Sequence, residues 1–285
     1  MFEIMQFIFQ FITSLLIIHI IGFGLFRILF KVEQLDFKLI SIVRMLLLLL
    51  LPMLIVNYFL TVIIFANEGI SGLSDGFYHE LILSTNEKWI GLVSLSSIAL
   101  SLIALHVKRN TFIMKLLFVV FSLGILSRFT LAGHFFSESL LFGIVIAFHV
   151  FTVCFWIGSL YPLIISCSPK YELEPNIIKS LMDKFGTVAI IFVSTLLITG
   201  ALLTYKHLPN LNEIASSHYH IGLFFKLLLV GILLLIALWH KFYLVNKVID
   251  SNSVFKIKKS ITIEWAISFV IIFITTYIVR IIGLN

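Results

Sequence analysis

Long apolar runs separated by short polar intervals set the rhythm of this chain. An α-helix needs roughly 20 apolar residues to cross about 30 Å of hydrocarbon. Eight runs are long enough: about 5–30, 39–65, 89–107, 112–132, 139–168, 185–205, 219–245 and 261–284. Pro52 interrupts the second run and predicts a kink there, with neighbouring helices supplying partners for the freed carbonyl. The longest polar interval, Ala66 to Lys88, is about 23 residues, too short for a soluble domain. The pattern therefore predicts an all-α, polytopic integral membrane protein with eight transmembrane helices in a single membrane domain over residues 1–285.

Composition agrees. The chain is 60% hydrophobic and only 12% charged, against about 25% charged in soluble domains, and its mean hydropathy is +1.14. The formal net charge of +6 does not indicate nucleic acid, because the basic residues sit in short loops between apolar runs. Fifteen of the 20 basic residues fall on one side of the alternating topology, among them Arg27, Lys31, Lys38 and Arg44 between the first two runs and Lys256, Lys258 and Lys259 before the last. The positive-inside rule then puts both termini outside. The N-terminal MFEIMQ lacks a positive n-region and a cleavage site, so the first span is expected to be retained. Cys154 and Cys167 share one run, 13 residues apart. On a continuous helix they stand about 20 Å apart, beyond disulfide reach.

The nine histidines carry the candidate chemistry. His106 and His240 fall at the inner face, where interfacial placement explains them. His79, in the outer interval near Asp75 and Glu80, and His134, His207, His218 and His220 lie on or near the outer face. His19 and His149 lie within spans, His149 about 16 Å deep from the outer end and His19 at similar depth. Intramembrane ionisable residues are rare and face a bundle interior, a cavity or a partner. One account is a neutral imidazole bonded to a neighbouring helix. Another is a metal path: imidazole suits copper, zinc, iron and nickel, and thiolate suits Cu(I). Cys154 lies five residues from His149, about 140° around the helix, so the two do not chelate one ion from a straight helix. Lys226 and Arg128 are placed to snorkel outward, and Glu264 is expected at the inner interface.

The stretch "HVFTVCFWIGSLYPLI" resembles the His-(apolar)-Trp-x-Gly-x-Leu signature of the copper resistance protein D (CopD) family. "AGHF" (Ala132–Phe135), "KFGTVAIIFVSTLLITGALLTY" (Lys184–Tyr205) and "YHIGLFFKLLLV" (Tyr219–Val230) resemble further family pieces in the same order. The CopD-like region covers 130–284 and is preceded by four further spans. His220 departs from the pattern, standing where the family usually has glycine. The resemblance implies a multi-pass protein of the bacterial cytoplasmic (inner or plasma) membrane in copper homeostasis, moving copper ions inward, with a separate extracytoplasmic copper-binding protein as partner.

On this reading the metal-binding residues are His19, His134, His149, His218, His220 and Cys154. The outer histidines collect copper, and His149 and His19, facing each other, carry it at mid-depth. The alternative is a haem b-binding redox protein with His19 and His149 as axial ligands. A third is a non-catalytic anchor or assembly partner. No nucleotide-binding glycine loop and no hydrolase or zinc motif occurs, so the chain is not expected to be an enzyme. Besides copper and any partner protein, the lipid bilayer is the surrounding expected for it.

Overall fold

The computed structural model of the chain describes residues 1–85, 87–105, 112–131, 140–207 and 218–282. Each run read as a span falls on a helix. These are α1 (Phe2–Phe30), α2 (Glu33–Ala66), α4 (Glu87–Ala104), α5 (Phe112–Leu131), α6 (Leu140–Ser166), α7 (Pro175–His207), α8 (His218–Trp239) and α9 (Ser251–Tyr277). Six of them, α1, α2 and α6 to α9, are long and apolar enough to cross a membrane, and a seventh joins them if the short α3 (Gly76–Ser84) and α4 form one bent span. The fold is entirely helical among the described residues.

α1 is the central helix. Every residue from Ile17 to Arg27 is buried, so the helix is covered on all sides. It packs on α2, α6 and α9, and also touches α5 and α7. α6 is the second hub and touches α1, α5, α7 and α9. α8 is the opposite case. It rests mainly on α9 and leaves Phe224, Leu228 and Leu235 at least half exposed, as suits a lipid-facing surface.

Glycine sets the spacing of the two hubs. A Cβ on Gly22 would lie 2.4 Å from the Gly158 Cα, and one on Gly158 would lie 2.3 Å from the Ile18 carbonyl oxygen. The α1 and α6 backbones therefore touch, the close approach that small residues permit between membrane helices. Pro162, inside α6, removes the N–H that the Gly158 carbonyl would accept from in a regular helix. Aromatic stacking continues the seam, with Phe23 parallel to Tyr161 at 5.8 Å on one side and Phe155 stacked on Phe192 at 3.8 Å on the other.

Polar residues inside the spans bind across helix pairs. Between α1 and α2 the Gln6 amide donates to Thr61 (3.1 Å) and the Asn57 amide to Thr13 (2.9 Å), and within α2 the Asn57 amide also donates to the Met53 carbonyl (2.8 Å). At the α1–α2 joint, Lys31 turns the chain in the left-handed region (φ 48°) and buried Arg27 pairs with Asp36 at 2.7 Å. The interval after α2 is ordered rather than plain loop. Gly69–Ser74 forms a 3₁₀ turn, and the Asp75 side chain caps α3 by accepting from the Phe77 N–H. His79 is a structural tie there: Nε2 donates to the Leu73 carbonyl (3.0 Å), and Nδ1 accepts from the Tyr58 hydroxyl (2.9 Å).

Two alanine substitutions on the same helix test the glycine seam. Gly158→Ala forces a methyl into the α1 backbone and is expected to lower stability by about 1–3 kcal/mol. Gly143→Ala meets nothing within 4 Å and is expected to leave stability unchanged or slightly raised. Thermal unfolding midpoints in detergent report the contrast.

Candidate functional site

His149 sits on α6, half-buried, facing α7. Its Nδ1 lies 3.1 Å from the Thr199 hydroxyl oxygen. That hydroxyl donates to the Thr195 carbonyl at 2.7 Å, so its oxygen accepts from His149 and the imidazole proton belongs on Nδ1. Nε2 is then the lone-pair nitrogen. Gly200 follows Thr199, and a Cβ there would lie 3.4 Å from His149 Cε1, so glycine gives the ring clearance against α7. Lys226 of α8 acts on the same imidazole electrostatically. The residue that holds His149 thus comes from α7.

His19 on α1 is held from the opposite side. The indole N–H of Trp265 on α9 can only donate, and it reaches His19 Nε2 at 3.0 Å. The proton must therefore be on Nδ1, which donates to the Leu15 carbonyl at 2.8 Å. Phe23, Trp265 and Phe269 ring the imidazole at centroid distances of 5.8, 6.1 and 5.9 Å, and only 8% of His19 is exposed. Both nitrogens are engaged. The face-to-face arrangement of His19 and His149 expected from the sequence is replaced by separate partners, Trp265 on α9 for one and Thr199 on α7 for the other. The reason is the register of α6: its contact with α1 is made at Cys154 and Gly158, one to two turns beyond His149.

Cys154 is fully buried, with its carbonyl against Gly22, and belongs to the apolar core at the seam. Both it and Cys167 are free thiols, so no disulfide joins them. On the first turn of α8, His218 is exposed and His220 is half-buried, its ring 5.7 Å from that of Tyr219. His134 and His106 lie outside the described residues, as does the side chain of His207. Among the described residues no group of three or more His, Cys, Asp and Glu side chains converges as a closed metal cage. What the fold offers is single imidazoles spaced along the bundle.

Sequence reasoning missed one cluster. His240 and Glu264, both assigned to the inner interface, are buried and meet each other, with Nδ1 to Oε2 at 3.0 Å, and His240 Nε2 is hydrogen-bonded to Ser260. A signal was available, since Glu264 is the one acidic residue in the last apolar run.

Residues 179–278 match the family model for copper resistance protein D, CopD. The match takes in most of α7 and all of α8 and α9, including Thr199, Gly200, Lys226, His240, Glu264 and Trp265. It agrees with the resemblance carried by the last two sequence pieces, and these three C-terminal spans are similar to that family. His149 lies outside the matched residues, but its hydrogen-bond partner Thr199 lies within them. No curated protein and no solved structure matches. The CopD match and the apolar helices together support a multi-pass membrane protein of the copper-resistance type.

The Trp265–His19 bond gives a direct test. Trp265→Phe keeps a ring in the α9 seam but leaves Nε2 of a buried imidazole without its donor, at an expected cost of about 1–3 kcal/mol. Gly143→Ala serves as the unaffected reference, and the midpoint of thermal unfolding is the measurement.

Proposed function

We propose that this copper-resistance membrane protein moves copper ions inward across a cytoplasmic membrane, with His149 as the ligand at mid-depth. The observation that carries the reading is the His149–Thr199 hydrogen bond. A threonine inside the CopD-matched region holds Nδ1 of the imidazole, and this leaves Nε2 to the metal. Metal-binding histidines are commonly oriented in this way, through a bond from the other ring nitrogen, and imidazole is a suitable copper donor. A single neutral imidazole in place of a closed cage also suits a cargo that must leave again.

The eight-span topology with both termini outside fits this role. It rests on the eight apolar runs and on the 15 of 20 basic residues gathered on one side. In that orientation His134, His218 and His220 stand at the entrance and collect the ion, and a separate extracytoplasmic copper-binding protein delivers it. His19 serves as a positioning residue for α9 through Trp265, and Cys154 as core, so neither is needed as a ligand. No enzymatic step is required.

Copper is favoured over haem b by the partners of the two buried histidines. Axial ligation needs two rings aimed at one iron, whereas His19 Nε2 is engaged by Trp265 and His149 is turned toward Thr199. The purified protein is accordingly expected to show copper by elemental analysis after loading, and no Soret band.

The deciding experiment is copper accumulation in cells carrying the wild type or His149→Ala at equal expression. The substitution is expected to reduce accumulation several-fold, toward cells without the protein. Unchanged accumulation would remove His149 from the path. Thr199→Val, which keeps shape but deletes the hydroxyl, is expected to give a smaller loss in the same assay.

A further inference from the structure

The His240–Glu264–Ser260 cluster is a buried ionisable group that the proposed copper path does not use. His240 is 9% exposed, Glu264 2% and Ser260 8%. They sit where α8 ends and on α9 between one-third and half of its length, toward the lysine-rich end of the bundle. At His240 the helix widens into a π turn, His240–Leu244, a local distortion found often at functional sites. That turn is anchored on two neighbours. Lys241 Nζ donates to the Gly186 carbonyl of α7 at 3.0 Å, and the Trp239 ring stacks on His240 at 6.4 Å.

We infer that His240 and Glu264 form a proton-binding site, loaded from the lysine-rich side, that couples copper passage to proton movement. A buried acid–imidazole pair is weak evidence for stability, because apolar residues of similar volume often serve the fold as well. In membrane proteins such pairs mark proton relays. The third member makes this pair reversible. With the proton on His240 Nδ1 directed at the Glu264 carboxylate, the Ser260 hydroxyl donates to Nε2. When a proton from water arrives on Nε2, the imidazole becomes imidazolium, its new N–H donates to the Ser260 oxygen, and the hydroxyl rotates to accept it. Unloading reverses the change and returns the proton to water. Both states keep the His240–Glu264 and His240–Ser260 contacts, and the cluster changes by one charge.

Other charges on the packed elements are arranged around the cluster rather than within it. On α9, Lys258 and Lys259 lie one to two turns toward the end. On α7, Asp183 and Lys184 are exposed. On the segment after His240, Lys241 is tied to Gly186 and Lys247 lies over the Tyr243 ring at 3.7 Å. Cys167 at the end of α6 is within electrostatic reach of Lys258. The lysines raise the local potential and favour release of the bound proton. The coupling role rests on the transport reading above, and supplies an energy source to a chain whose sequence has no nucleotide loop.

Two readouts test it on the full chain in lipid. The first is an infrared pH titration, which needs no copper. The wild type is expected to show imidazole ring bands switching between the neutral and the imidazolium form, a change lost in His240→Gln. No His240-dependent change overturns the proton site. Should His240→Gln fail to fold, Glu264→Gln replaces it: the midpoint of the change is expected to move, and an unmoved midpoint overturns the pairing. The second readout is Cu(I) entry into proteoliposomes under an imposed pH gradient. Wild-type flux is expected to change several-fold with the gradient, and Glu264→Gln flux to be insensitive to it. Equal gradient dependence in both overturns the coupling. Absence of any wild-type copper flux overturns the transport reading instead, and the infrared result then decides the proton site alone.

Discussion

The contact between the backbones of α1 and α6 at Gly22 and Gly158 governs the rest of the bundle. In lipid there is no hydrophobic force pulling helices together, so close packing and interhelical hydrogen bonds must hold them. Two glycines facing each other let the central helix and its main neighbour approach until a single methyl would not fit. Everything that α6 carries is placed by that contact. Cys154 is trapped in the seam, Tyr161 is laid on Phe23, and His149, further back along the helix, is swung toward α7 instead of toward α1.

The buried polar groups follow a common rule. Water is absent from the hydrocarbon, so buried donors and acceptors are drawn to partners on an adjacent helix or on their own backbone, with Asn57 Oδ1 left as an exception. Asn57 and Thr13 join α2 to α1, Trp265 and His19 join α9 to α1, His149 and Thr199 join α6 to α7, and His240 and Glu264 join the end of α8 to α9. These bonds fix orientation as well as affinity between helices. An imidazole with one nitrogen engaged presents the other as an acceptor, as His149 does, whereas His19, engaged at both, is committed to packing.

The helices themselves were legible from the sequence because membrane crossing imposes length and apolarity on each span independently. α1 and α6 can be read as spans without knowing what they touch. The partners were not legible, because they depend on packing between distant segments: Trp265 lies 246 residues from His19, and Thr199 lies 50 residues from His149. Depth counted along each run does not give the register between spans, and the α1–α6 register, with Cys154 and Gly158 against Gly22, gives His19 and His149 different neighbours. His240 and Glu264 were misread for the same reason. Each looked interfacial beside its lysines, and only their burial and their 3.0 Å contact show that both point inward. The CopD pieces were read as ordered motifs over 130–284, and the match over 179–278 takes in the last two of the four.

The joint between α1 and α2 bears on how tightly the first hairpin closes. Two residues of non-helical backbone separate the helices, and the one deeply buried arginine of that hairpin already has its acid, Asp36, on the facing turn. The pairing neutralises Arg27 where it is buried, while Lys31, Lys38 and Arg44 leave the rest of the tip with a surplus of positive charge. The hairpin can thus close tightly without stranding a charge between its two helices.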